Sequence, residues 1–102
     1  MSRIHSPAAA KIGKQIRAVR LELGISQEDL GELSEINWTT IGKIERGVSS
    51  PTVETLVRPA TALSVEPGSL ITGVTPDDYG SRSHRLTARD LIQARAHEQT
   101  EP

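Results

Sequence analysis

Between residues 27 and 50 the chain gathers side chains made for hydrogen bonding and charge neutralisation: Gln27, Asn37, Trp38, Thr39, Thr40, Lys43, Arg46, Ser49 and Ser50. Amides, hydroxyls and cations of these kinds can bond the edges of stacked bases or the oxygens of phosphate groups. Thr39 carries a hydroxyl for a base edge and a methyl for a thymine methyl, and Lys43 has the reach for guanine or a phosphate. Trp38, the only tryptophan, can either lay its flat edge on sugar and thymine methyl groups or fold back as peripheral core. Gln27, at a helix start, points an amide and backbone N–H groups toward an anion. Arg46, Ser49 and Ser50 follow the helix, where phosphate contacts would set register without carrying sequence information.

The elements that must position these groups are legible in the same stretch. Residues 26–47, SQEDLGELSEINWTTIGKIERG, read as two short helices around a tight corner, punctuated by Ser26, Asn37 and Gly47. Ser26 caps one helix, with Ile25 before it and Leu30 after; Asn37 caps the next, flanked by Ile36 and Ile41. Both are hydrophobic-staple patterns, which fix the angle at which the chain enters a helix. At about 100° per residue, Ile41 and Ile44 face a core while Thr39, Gly42, Lys43 and Arg46 face away. Gly42 permits close approach, at a cost of roughly 1 kcal/mol in helix propensity. This is the helix-turn-helix layout, whose second helix enters the major groove of DNA.

Around it, Ile12, Ile16, Val19 and Leu23 predict an amphipathic helix over 8–23, stopped by Gly24. Ser49-Ser50-Pro51-Thr52 reads as a loop and cap for a fourth helix carrying Val53, Leu56, Val57, Ala60 and Leu63. Glu66-Pro67 opens a short fifth helix ending near Leu70 and Ile71. No segment alternates as a strand would, so an all-α domain is expected over 8–71. Residues 72–86 are polar and rich in Gly, Pro, Ser and Asp, the composition of a linker. Thr87 caps a candidate C-terminal helix over 87–98, with Asp90 at the third position and Leu86 and Leu91 as a staple. A helix of that length is marginal alone in water.

The chain has 102 residues, enough for one domain, and no phenylalanine, so aliphatic side chains must fill the core. With no cysteine and with His5, His84 and His97 widely separated, neither a disulfide scaffold nor a zinc site is expected, and no cofactor is implied. The absence of thiols suits a reducing cytoplasm, and neither a bilayer-spanning run nor the apolar core of a signal peptide is present, so no membrane association is expected. The net charge of -1 hides an asymmetry: residues 1–20 hold five Lys and Arg and no acid, and residues 21–35 hold five acids and no base. Enzymatic chemistry is not expected. The two Ile-Gly-Lys tripeptides lack the upstream glycine of a phosphate loop, and Asp77-Asp78 read as capping or solvated acids.

Residues 12–71 resemble the Cro/C1-type, or XRE, helix-turn-helix family of phage and bacterial repressors, through IGKQIRAVRLELGISQEDL, TTIGKIERG, SPTVETL and ALSVEPGSLI. The resemblance implies a five-helix, lambda-repressor-like DNA-binding domain, acting as a homodimer on a two-fold operator in double-stranded DNA. By position it assigns Gln27 and Asn37 to phosphates, places Trp38, Thr39 and Lys43 at base edges with Thr40 nearby, and makes Arg20 and Glu45 a structural ion pair. Three residues depart from the family pattern. Gly31 stands where alanine is usual. Glu35 stands where the corner usually has glycine, so another turn shape is expected. Pro59 lies inside the fourth helix, so a kink or break is expected near Thr55–Pro59. The function this implies is a sequence-specific regulator repressing by occlusion, with Leu86, Leu91 and Ile92 available to extend a dimer interface. Two other readings are an antitoxin whose residues 72–102 hold a toxin, and a protein-interaction adaptor that has lost operator reading.

Overall fold

The computed structural model describes residues 3–80 and 86–100, with side chains placed through residue 98. The described residues form five α-helices and two 3-10 segments, and contain no strand: α1 (Pro7–Leu23), α2 (Gln27–Ser34), α3 (Trp38–Glu45), α4 (Val53–Ala62), 3-10 segments at Pro67–Ile71 and Pro76–Tyr79, and α5 (Ala88–Thr100). The fifth position of the domain is therefore a 3-10 turn, and α5 is the tail helix.

Local chemistry sets the helix ends. Ser6 accepts a bond from the Ala9 N–H, with Pro7 at the first helical position, and Gly24 closes α1 in the left-handed conformation. Ser26 and Asp29 form a reciprocal capping box on α2, and Asn37 accepts from the Thr39 N–H at the start of α3. Thr52 and Thr55 form the same kind of box on α4.

The core comprises Ile12, Ile16, Leu30, Ile41, Ile44, Ala60, Leu63 and Leu70, with Ile25 and Ile36 packed against it, so both staples enter the core. Leu23, expected on the buried face of α1, instead stands 55% exposed, because the chain leaves the helix one residue later.

One expectation about the departures from the family pattern is corrected and another is narrowed. Glu35 does adopt the left-handed conformation, at φ 56° and ψ 40°, rather than another turn shape. Its carboxylate accepts from Arg58 at 3.1 Å, and Arg58 is also tied to Glu54 at 2.9 Å, so the turn is strapped to α4. Gly31 lies beneath that turn; a Cβ there would sit 2.7 Å from the Ile36 carbonyl oxygen. Of the kink or break expected near Thr55–Pro59, the break does not occur: α4 runs on through Pro59 to Ala62. Pro59 is buried in the core, and its carbonyl accepts from the Leu63 N–H at 2.8 Å. The burial offsets the single hydrogen bond that the ring removes.

The stretch expected as a linker differs in its first part. Gln15 donates to the Thr72 carbonyl at 2.8 Å, and Lys11 reaches the Gly73 carbonyl at 3.2 Å and the Asp78 carboxylate at 2.9 Å. Residues 72–79 thus lie along α1. Asp78 also accepts from the Thr75 N–H. The Lys11 bond, then the Thr75 backbone bond, holds the Asp78 carboxyl below the usual carboxylate range. Residues 81–85, part of the expected linker, lie outside the described residues. In α5, Thr87 and Asp90 bond reciprocally as a cap. Side chains 88–98 are all exposed, Leu91 and Ile92 included.

Candidate nucleic-acid interface

The interface is built on α3, held between α1 and α2. Ile41 and Ile44 anchor its inner face, and the buried Glu45 carboxylate ties its C-terminal end to α1. Arg20 Nε lies 2.6 Å from Glu45 Oε2, Arg20 NH2 lies 2.9 Å from Oε1, and NH1 donates to the Ile25 carbonyl at 2.9 Å. The bond to Glu45 raises the Arg20 pKa above its ordinary value, against the opposing effect of burial. This fork-to-fork arrangement fixes distance and rotation together. It is why the outer face of α3 keeps one orientation.

That outer face presents Trp38, Thr39, Lys43 and Arg46 to solvent, with Trp38 51% exposed; Thr40 is half-buried toward the core side. Trp38 therefore does not fold into the core. One side of it borders a shallow cleft with Glu28 and Glu32 of α2. Asn37 Oδ1 accepts from both the N–H and the hydroxyl of Thr39, at 2.9 and 2.8 Å. The Thr39 hydroxyl is left as an acceptor, with its methyl free, while the Asn37 amide retains its N–H donors.

Gln27 is half-buried rather than open to solvent, and donates through Nε2 to Glu45 Oε1 at 3.1 Å. Its amide lies over Gly42: a Cβ at residue 42 would meet Gln27 Oε1 in ordinary contact at 3.4 Å and Arg46 NH1 more tightly at 3.0 Å. The fold thus brings Gln27 of α2 and Arg46 of α3 together over one glycine. Ser49, half-buried, and Ser50, exposed, lie in the loop after α3, apart from that cluster. The shared use of Glu45 by Arg20 and Gln27 carries no signal in the sequence beyond the residue types, since the partners lie 25 and 18 positions away. Among the described residues no group of His, Cys, Asp and Glu is arranged to hold a metal, and no helix is long and apolar enough to cross a membrane.

The HTH_3 helix-turn-helix family matches residues 16–70. The HTH-type transcriptional regulator y4dJ of Sinorhizobium fredii is 32% identical over 71 residues, covering 70% of this chain and 92% of the relative. Among solved structures, the restriction-modification controller protein C.AhdI of Aeromonas hydrophila superposes with a TM-score of 0.60 at 35% identity, covering 61% of this chain and 94% of that one. The c2 repressor of phage P22, solved in complex with a synthetic operator, gives 0.57 at 34% identity, with the same coverage of both chains.

Proposed function

The chain belongs to the Cro/C1-type (XRE) helix-turn-helix family, a non-enzymatic class of transcriptional regulators, and from that premise we propose that it reads a two-fold DNA operator as a homodimer and represses by occlusion. The observation that carries this reading is the outer face of α3. Trp38, Thr39, Lys43 and Arg46 stand exposed on a short helix whose orientation is clamped by the buried Arg20–Glu45 pair. A rigid helix with uncommitted donors and acceptors on its solvent side is what base readout in the major groove requires.

The roles divide by the chemistry each group has left. Thr39 offers an acceptor and a methyl, Lys43 a cation, and Trp38 an apolar edge toward the bases, with half-buried Thr40 at the margin. Asn37, Ser49 and Ser50 are assigned to phosphates, with the Asn37 N–H groups as donors. The acidic side of α2, with Glu28 and Glu32, repels phosphate, so the DNA backbone passes along the side of Lys43 and Arg46. The c2 repressor, 34% identical and solved in complex with a synthetic operator, supports DNA as the ligand. The exposed α5, with Leu91 and Ile92, is a surface for the second subunit or for a protein partner of residues 72–102.

Selection of bound duplexes from a random pool at physiological salt tests the reading. The expected result is a two-fold motif whose half-sites are about 34 Å apart centre to centre. Affinity should fall steeply with salt, the logarithmic slope being about 0.9 per phosphate neutralised. Recovery of no motif, with binding indifferent to salt, overturns operator reading and favours an adaptor.

A further inference from the structure

The Glu45 carboxylate serves two partners. Both its oxygens hold the Arg20 guanidinium, and Oε1 also accepts from Gln27 Nε2 at 3.1 Å. An ionised carboxylate can only accept, so the nitrogen end of the Gln27 amide is the end that must face it. The opposite end is fixed by the same contact. Gln27 Oε1 lies over α3, 3.4 Å from where a Cβ would stand at Gly42, with Arg46 NH1 3.0 Å from that point. Gly42 is itself buried, with the Gln27 amide and the Arg46 guanidinium lying over it, so α3 contributes no side chain of its own at that point. A freely rotating glutamine would offer either end to a ligand. This one is held by a carboxylate that is itself locked by a buried ion pair.

We propose that Glu45 is a positioning residue for base recognition, holding the Gln27 amide so that its oxygen is a fixed acceptor on the α3 face for the exocyclic amino group of adenine or cytosine. The inference rests on the operator reading proposed above. It adds a base contact through Oε1 to the phosphate contact expected of Gln27, since Nε2 keeps a second N–H that Glu45 does not use. A phosphate oxygen accepts hydrogen bonds and is repelled by an amide oxygen, whereas adenine N6 and cytosine N4 are the donors that the major groove presents. Arg46, beside it, supplies the positive charge for the flanking phosphate. Lost orientation at Gln27 should therefore appear as lost discrimination at one base pair, not as a general weakening.

The test compares the full chain with Gln27→Met and Glu45→Gln in competition binding, against every single-base variant of the motif that the wild type selects. Gln27→Met keeps the length and helix propensity of the side chain and removes its oxygen. The expected result is a roughly three- to tenfold loss of preference at one base pair per half-site, the scale of a single hydrogen bond, with the other positions and the salt slope unchanged. Glu45→Gln, with its fold verified by circular dichroism, should lose preference at the same base pair although Gln27 is intact, because an amide at 45 no longer dictates which end of Gln27 faces it. Uniform weakening across all sequences in Gln27→Met, or an unaltered profile, overturns the base contact. Full preference in a folded Glu45→Gln protein overturns the positioning role. If the wild type selects no motif, the operator reading fails and this inference fails with it. A wild-type motif left untouched by Gln27→Met defeats this inference alone.

Discussion

Glu45→Ala is the perturbation whose size the structure sets most directly. The substitution leaves Arg20, only 7% exposed, with Nε and NH2 stripped of their acceptors, while NH1 keeps the Ile25 carbonyl. Breaking a buried pair by removing one partner costs about 3–5 kcal/mol, because a charge stays buried and unpaired. The retained Ile25 bond places the cost near the lower end, about 3 kcal/mol. Domains of this size are stabilised by roughly 5–15 kcal/mol in all, so the loss is large. At about 4–8 °C per kcal/mol it corresponds to a fall in Tm of about 12–24 °C. Urea unfolding followed by far-UV circular dichroism, with linear extrapolation, measures it. The companion is the double substitution Arg20→Met with Glu45→Leu, which removes both charges at similar volume. It should lie within about 1 kcal/mol of wild type or above it, since an apolar replacement avoids the desolvation cost of both ions. If Glu45→Ala melts with the wild type, the guanidinium is finding water, and the pair does not clamp α1 to α3.

Gly31→Ala should destabilise even though alanine is the better helix former: about 1 kcal/mol is gained in propensity, but the new methyl meets the Ile36 carbonyl oxygen at 2.7 Å, and overpacking costs about 1–3 kcal/mol. A variant more stable than wild type in urea would refute that contact. Glu35→Gly should be more stable than Glu35→Ala by about 0.5–1 kcal/mol, because both lose the Arg58 bond but only alanine retains the left-handed strain of about 1–2 kcal/mol, part of which glycine returns as unfolded-chain entropy. Equal melting temperatures would show that the corner is not left-handed. Asp29, held low by hydrogen bonds from Ser26, and Asp78, held low chiefly by Lys11, have depressed folded pKa values. Their stabilisation is therefore present above the unfolded value of about 3.9 and lost as pH falls through the lowered folded values. Asp29→Asn and Asp78→Asn should each flatten the acid limb of a stability profile measured by urea unfolding, and an unchanged limb in both would refute the assignment.

What the sequence made legible was whatever is decided within a turn of helix. Ser26 and Asn37 bond backbone N–H groups two or three residues away, so their capping could be read from the neighbours, as could the staples around them. The Arg20–Glu45 pair spans 25 positions and was visible only through the family resemblance. Glu35 was misjudged because the cost of the left-handed conformation was charged to that residue alone. The fold offsets it with Arg58, 23 positions away. The possibility of a break at Pro59 arose in the same way, its lost hydrogen bond counted and its burial not. Residues 72–79 have the composition of a linker, yet they are held to α1 by contacts 57 to 67 positions apart.

The same distinction explains why net charge concealed the candidate interface. A formal total of -1 counts every cation alike. In the folded chain Lys11, Arg20 and Arg58 are committed to Asp78, Glu45, Glu35 and Glu54, and their fields are largely cancelled. Lys43 and Arg46 make no ion pair among the described residues, and both stand on the exposed side of α3. Pairing separates the cations that hold the domain together from those left over, which besides Lys43 and Arg46 include the exposed Lys14 and Arg17 of α1. That sorting depends on long-range packing, so composition could not reveal it. The acids of α2 fit the same account. Glu28 and Glu32 border Trp38 on one flank, a side on which, under the proposed operator reading, a phosphate backbone would be repelled. A near-neutral domain can in this way leave Lys43 and Arg46 unpaired on the exposed side of α3, provided that the buried pair at Glu45 keeps the helix in that orientation.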